Sequence, residues 1–200
     1  MTMRIIFFLS LIAVLASAGT PAIAQTVMTD VWRDKQQIVP VQKVSVLWIA
    51  RVMQSRLLAE NEFVRQLKMR GLAAMPGYVV IPPDHQVERE EVLVKFRDLG
   101  VDAVVILRVI NKQAAQTPIP ATGPIGPAHL TGFYQFVYDA QVTDEPGPVY
   151  LETNVFDVRT GKRVWTARSV TKVDVVDQKA LSDFIGLMID RLAADAMIPR

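Results

Sequence analysis

Along the chain the spacing of apolar residues changes several times, and each change marks an element. Val44-Ser45-Val46-Leu47-Trp48-Ile49-Ala50 is short, β-branched and apolar on both faces, which predicts a strand covered on two sides. Over 54–70 the period lengthens. Leu57, Leu58, Phe63, Val64 and Leu67 share one broad face, and Arg56, Glu60, Glu62, Arg65 and Lys68 take much of the rest. This predicts an amphipathic helix closed by Gly71. Tyr78-Val79-Val80-Ile81 reads as a second strand stopped by Pro82-Pro83, and 87–99 as a second helix with Val92, Phe96 and Leu99 in line and Gly100 at its end. Val101 to Ile110 returns to an unbroken apolar strand. Strand and helix alternating in this way predict parallel pairing with right-handed crossovers.

The second half is patterned differently. Pro118, Pro120, Pro124 and Pro127 lie among Ala, Thr and Gly, so 114–130 is expected as a long exposed loop. The aromatics Phe133, Tyr134, Phe136 and Tyr138 follow as a candidate strand. Val149–Val158 and Lys162–Val170 flank Arg159-Thr160-Gly161, which predicts an antiparallel hairpin with a three-residue loop and a left-handed Gly161. That register sets Phe156 opposite Val164, Val155 opposite Trp165 and Asp157 opposite Arg163. Asp177 is placed to cap a last helix with Leu181, Phe184, Ile185, Met188 and Leu192 as its apolar stripe. Fold class is therefore α/β: one domain over 43–200, with a βαβαβ start, a hairpin and a C-terminal helix packed on the sheet. Residues 25–42 are expected as an irregular lead-in or an edge strand.

The first 24 residues change the picture of where the domain works. Arg4 is followed by an apolar run from Ile5 to Leu15, then by small residues and Ala22-Ile23-Ala24 ahead of Gln25. This is the pattern of a cleavable signal peptide with the cut after Ala24. The apolar run is far shorter than the roughly 20 residues a spanning helix needs. The expected location is the periplasm, with no transmembrane helix in the mature chain. Cysteine is absent, which excludes disulfides, thiol chemistry and a cysteine-borne lipid anchor. Net charge is +2 with the two signs interspersed, so no nucleic-acid footprint is expected.

Candidate chemistry is sparse. His85 and His129 stand outside any metal-ligand spacing, and Glu88-Arg89-Glu90-Glu91 is explained by the preference for acids at a helix start. Gly161-Lys162 fails as a phosphate loop, because Phe156 holds the place of its first glycine and Arg163 that of its hydroxyl residue. Neither GxGxxG nor GxSxG occurs. Trp48 and Trp165 are expected in the core. No catalytic residue, metal site or cofactor is therefore expected. The remaining candidates are surfaces: the Pro-rich loop, an open strand edge, and Phe133, Tyr134, Phe136 and Tyr138 as contacts for a protein partner of the envelope. The alternatives are a hydrolase using Asp98 or Asp102 with His85, and a carrier of a small ligand beside the sheet.

Taken together, Val44–Ala50, Lys68-Met69-Arg70-Gly71, Tyr78-Val79-Val80-Ile81-Pro82, Gly100-Val101-Asp102-Ala103-Val104, Glu152-Thr153-Asn154-Val155-Phe156-Asp157 and Thr160-Gly161-Lys162-Arg163-Val164-Trp165 resemble small bacterial envelope proteins and lipoproteins with a fold like the TolB N-terminal domain. The curli-secretion CsgG-like proteins and the lipoprotein activators of cell-wall synthases share that fold. The resemblance covers about 43–195. It implies a non-enzymatic, extracytoplasmic domain that binds other envelope components. Many members carry a lipidated cysteine at the mature N-terminus, where this chain has Gln25.

Overall fold

A computed structural model describes residues 25–36, 41–50, 52–82, 89–124, 126–133, 147–172 and 178–199, with backbone alone at 25, 89, 90 and 172. Residues 1–24, expected as a signal peptide, and His85, Tyr134, Phe136, Tyr138 and Asp177 lie outside the described residues. The strands are β1 (Gln25–Arg33), β2 (Lys43–Ile49), β3 (Ala73–Pro76), β4 (Ala103–Ile110), β5 (Val149–Asp157) and β6 (Arg163–Lys172). The helices are α1 (Met53–Met69), α2 (Arg89–Asp98), the short α3 (Lys112–Gln116), a helical segment at 130–133, and the C-terminal α4 (Gln178–Ala194). One mixed sheet runs β1-β6-β5-β4-β2-β3. β2 is parallel to β3 and β4, and the remaining pairs are antiparallel.

The chain is a single α/β domain whose sheet is covered on both faces. Alternation along the strands sorts the core into two halves. Val44, Val46, Val105, Leu107, Val155 and Trp165 face α1 and α4, meeting Phe63, Leu67, Phe184 and Met188. Leu47, Ile49, Val104, Ile106 and Phe156 face the other way, meeting Val92 and Phe96 of α2 together with Leu130 and Phe133. Trp165 is fully buried and donates its indole N–H to Asp195 at 2.8 Å. Trp48 is half-buried, edge-on to Phe184.

Several expectations need correction. Gln25–Arg33 takes the edge-strand alternative, pairing with β6, so the sheet begins well before Lys43. The strand expected at 78–81 is displaced to Ala73–Pro76, and Gly77–Val79 is a turn of 3-10 helix. Gly77 lies so close to β2 that a Cβ there would come within 2.8 Å of the Val46 carbonyl oxygen. The Tyr78 N–H leaves the ladder for Glu60 Oε2 at 2.7 Å. In the hairpin, Asp157 closes on Lys162 and accepts from the N–H of Gly161, giving a four-residue loop. Gly161 has the expected positive φ of 71°. The longer loop pairs Phe156 with Arg163, and an irregularity at Val164 restores Val155 opposite Trp165.

Candidate functional site

The face of the sheet away from α1 and α4 carries an unusual polar layer. Strand register aligns Arg108 of β4, Glu152 of β5, Arg168 of β6 and Asp30 of β1 in one row of alternating charge. The next row holds Ile106, Asn154, Thr166 and Trp32. Glu152 Oε1 accepts from Arg108 Nε and Nη2 at 3.0 and 2.8 Å, and its Oε2 accepts from Arg168 Nε at 3.1 Å. Asn154 donates to Glu152 and accepts from the Thr166 hydroxyl. Burial works against charge on Glu152, but Arg108, Asn154 and Arg168 outweigh it and hold the carboxyl below its ordinary range. Arg163 joins the layer from the start of β6, and its guanidinium carbon lies 5.5 Å from the centre of the Phe133 ring. Arg108 lies 5.3 Å from the same ring.

The Pro-rich stretch crosses this layer as a strap. Its contacts run through its own backbone: Thr117 O accepts from Arg168, Ile119 N–H donates to Asp30 Oδ2, Ala121 O accepts from the Trp32 indole, and Pro124 O accepts from Arg163 Nη2. Beyond it, Leu130 N–H and Ala128 O bond to Gly161 and Arg163, so the strap ends by pairing with the start of β6. The expected long exposed loop is thus fixed to the sheet on its inner side, although Thr117, Pro118, Pro120, Ala121 and Thr122 remain exposed. Buried arginines need acceptors, and a proline-rich chain still offers one carbonyl per residue.

Phe133 is not available as a partner contact. It lies in a helical segment and is fully buried, packed on Phe156 at 5.1 Å. Asp102, offered for hydrolase chemistry, accepts the N–H groups of Gln42 and Lys43 at 2.8 Å and so fixes the entry to β2. Asp98 is exposed at the end of α2. His129 sits over Gly161, with Nδ1 3.0 Å from the Thr131 hydroxyl. Among the described residues no group of three His, Cys, Asp or Glu is placed to hold a metal ion, and no helix is long and apolar enough to cross a membrane.

Beside the β2–β3 edge of the sheet lies a second buried charge that periodicity concealed. Arg56 and Glu60, read as outward-facing, are 4% and 0% exposed. Glu60 accepts from Arg56 Nε at 2.7 Å and from the backbone N–H groups of Trp48 and Tyr78 at 3.0 and 2.7 Å. Arg56 also donates to the Ile81 carbonyl. The pair joins the end of β2 to the turn after β3. Burial raises the Glu60 pKa above its ordinary value despite the guanidinium beside it. At the start of α1, Val52, Met53 and Leu58 are 60, 43 and 53% exposed, and Val79 in the 3-10 turn after β3 is 57% exposed. The neighbouring Tyr78 hydroxyl donates to Asn61 of α1 at 2.8 Å.

No protein-family model matches the sequence, and no curated protein matches it. Among solved structures the chain is similar to PelC from Paraburkholderia phytofirmans, a dodecamer, in two crystal forms. A variant in one form has 14% identity and a TM-score of 0.46, covering 85% of this chain and 98% of that one. The other has 14% identity and a TM-score of 0.44, covering 89% and 100%. Lipoprotein GNA1162 from Neisseria meningitidis has 12% identity and a TM-score of 0.39, covering 76% and 96%. At such low scores, function rests on this chain's own residues.

Proposed function

We propose that the chain is an exported, non-enzymatic binding or assembly-accessory domain of the cell envelope that acts in the periplasm through a protein partner. The observation that carries this reading is the exposure of the large apolar residues Val52, Met53 and Leu58 at the start of α1 and of Val79 in the 3-10 turn after β3. Isolated exposed apolar residues are ordinary, but several large ones beside one edge of a sheet are what a docking surface offers. Support also comes from the acids. Asp102, Glu60 and Glu152 each spend their oxygens on backbone N–H groups or arginines, which suits support of the fold better than proton transfer.

Export is supported by the leader pattern ahead of Gln25. The test is affinity capture from envelope extracts with the tagged chain. A partner retained by the wild type and by Val94→Glu, a control on exposed α2, should be lost with Leu58→Glu combined with Val79→Asp. The same partners in all three preparations, or none in any, would overturn the reading.

A further inference from the structure

Arg163 is a cation in the wrong place for an ordinary core. Its residue is 4% exposed, and Nη2 donates to the Pro124 carbonyl at 2.7 Å. Its Nη1 is buried without a hydrogen-bond partner. Among the described residues no carboxylate forms an ion pair with it; Glu152, which attracts it from a distance, is taken up by Arg108 and Arg168. Burial comes first and the like charges of Arg108 and Arg168 follow in lowering its pKa to about 10, so it remains charged at neutral pH. An unpaired buried guanidinium N–H carries the full cost of its lost hydration, and native proteins keep few of them without a ligand, ion or water to answer them.

We propose that Arg163, with Arg108 and Arg168 beside it, forms a binding site for a small oxyanion of the phosphate or carboxylate type beneath the proline-rich strap. The guanidinium fork suits that chemistry, because two N–H groups can reach two oxygens of one anion. Access runs past the strap, which is held by backbone contacts at Thr117, Ile119, Ala121 and Pro124 and by no ion pair of its own among the described residues. Bound anion would neutralise part of the positive excess and replace the missing acceptor of Nη1.

The test titrates inorganic phosphate, and separately acetate, against chloride at constant ionic strength. Melting temperature and phosphorus NMR linewidth are the readouts. The wild type should show a saturable rise in Tm with at least one of the two oxyanions and none with chloride; the rise should be lost in Arg163→Met, which swaps the cation for an apolar chain of similar length. Phosphate response alone assigns the phosphate type, and acetate response alone the carboxylate type. Equal shifts in wild type and variant, or no shift of the wild type with either oxyanion, overturn the proposal. Should Arg163→Met fail to fold, the wild type still decides: a saturable Tm rise with at least one oxyanion and none with chloride, accompanied for phosphate by line broadening that excess chloride does not remove, supports the site, and the absence of that rise overturns it.

Discussion

Glu62 ties the two helices of the first face together. Its Oε1 accepts from Gln66 at 2.7 Å and from the Ser182 hydroxyl of α4 at 2.8 Å, and Arg65 donates to both oxygens. The hydrogen bonds from Arg65 lead the causes that lower its pKa from 4.5 to about 2. A depressed carboxyl contributes stability that is complete above the unfolded value and is lost as pH falls through the folded one. Chemical denaturation between pH 5 and pH 2 should therefore show the wild type losing more stability than Glu62→Gln across about 4.5 to 2. Parallel loss in the two proteins would remove Glu62 from the account. Arg56 and Glu60 teach a different lesson at this scale. Helical spacing placed them on the outward face of α1, but the face is wider than the apolar stripe because two backbone N–H groups, on Trp48 and Tyr78, need an acceptor there. Nothing in the local pattern announces that need.

Among the elements, the hairpin shows how far a local pattern reaches. Its strands, its left-handed Gly161 and the pairing of Val155 with Trp165 were legible, because turn chemistry and alternation agree there. The extra loop residue was not, since its position depends on Asp157, whose carboxylate accepts from Arg159 N–H at 3.0 Å and from the Thr160 hydroxyl at 2.7 Å. Gly161 is doubly constrained: φ is 71°, and a Cβ would come 2.1 Å from His129 Nε2. Gly161→Ala should destabilise the protein by about 1–2 kcal/mol from the left-handed backbone alone, with a further loss from the collision. In urea unfolding, His129→Ala in the same chain should recover the collision part and leave the backbone part. Additive effects of the two substitutions would show that the ring does not press on the turn. The strap marks the other limit of sequence reading. Its prolines excluded regular structure over 117–124, although 114–116 and Leu130, expected in the same loop, are helical; its attachment is made by carbonyl and N–H groups that every residue carries, so composition could not reveal that it lies fixed across a face of the sheet.

For the whole molecule, the two faces of the sheet differ in kind. The α1 and α4 side is an apolar core built by period and alternation. The other side is apolar under α2 and polar under the strap, and that division follows the cross-strand row Arg108–Glu152–Arg168–Asp30. Fold class was readable because strand and helix alternate early and a hairpin follows. The polar layer was hidden because the charged residues that meet across its strands lie 16 to 138 residues apart and are brought together by strand register. Phe133 looked like surface for a related reason: its burial depends on Phe156 and on arginines of other strands.

The exposed apolar residues at the start of α1 and at Val79 carry the proposed contact with a partner, and they decide the functional account. The most direct measurement places a photo-activated crosslinking side chain at positions 58, 79 and 94 of the full chain in living cells. The account predicts an adduct with one common envelope protein from 58 and 79 and none from 94. Equal adducts from all three positions, or none from 58 and 79, would contradict it.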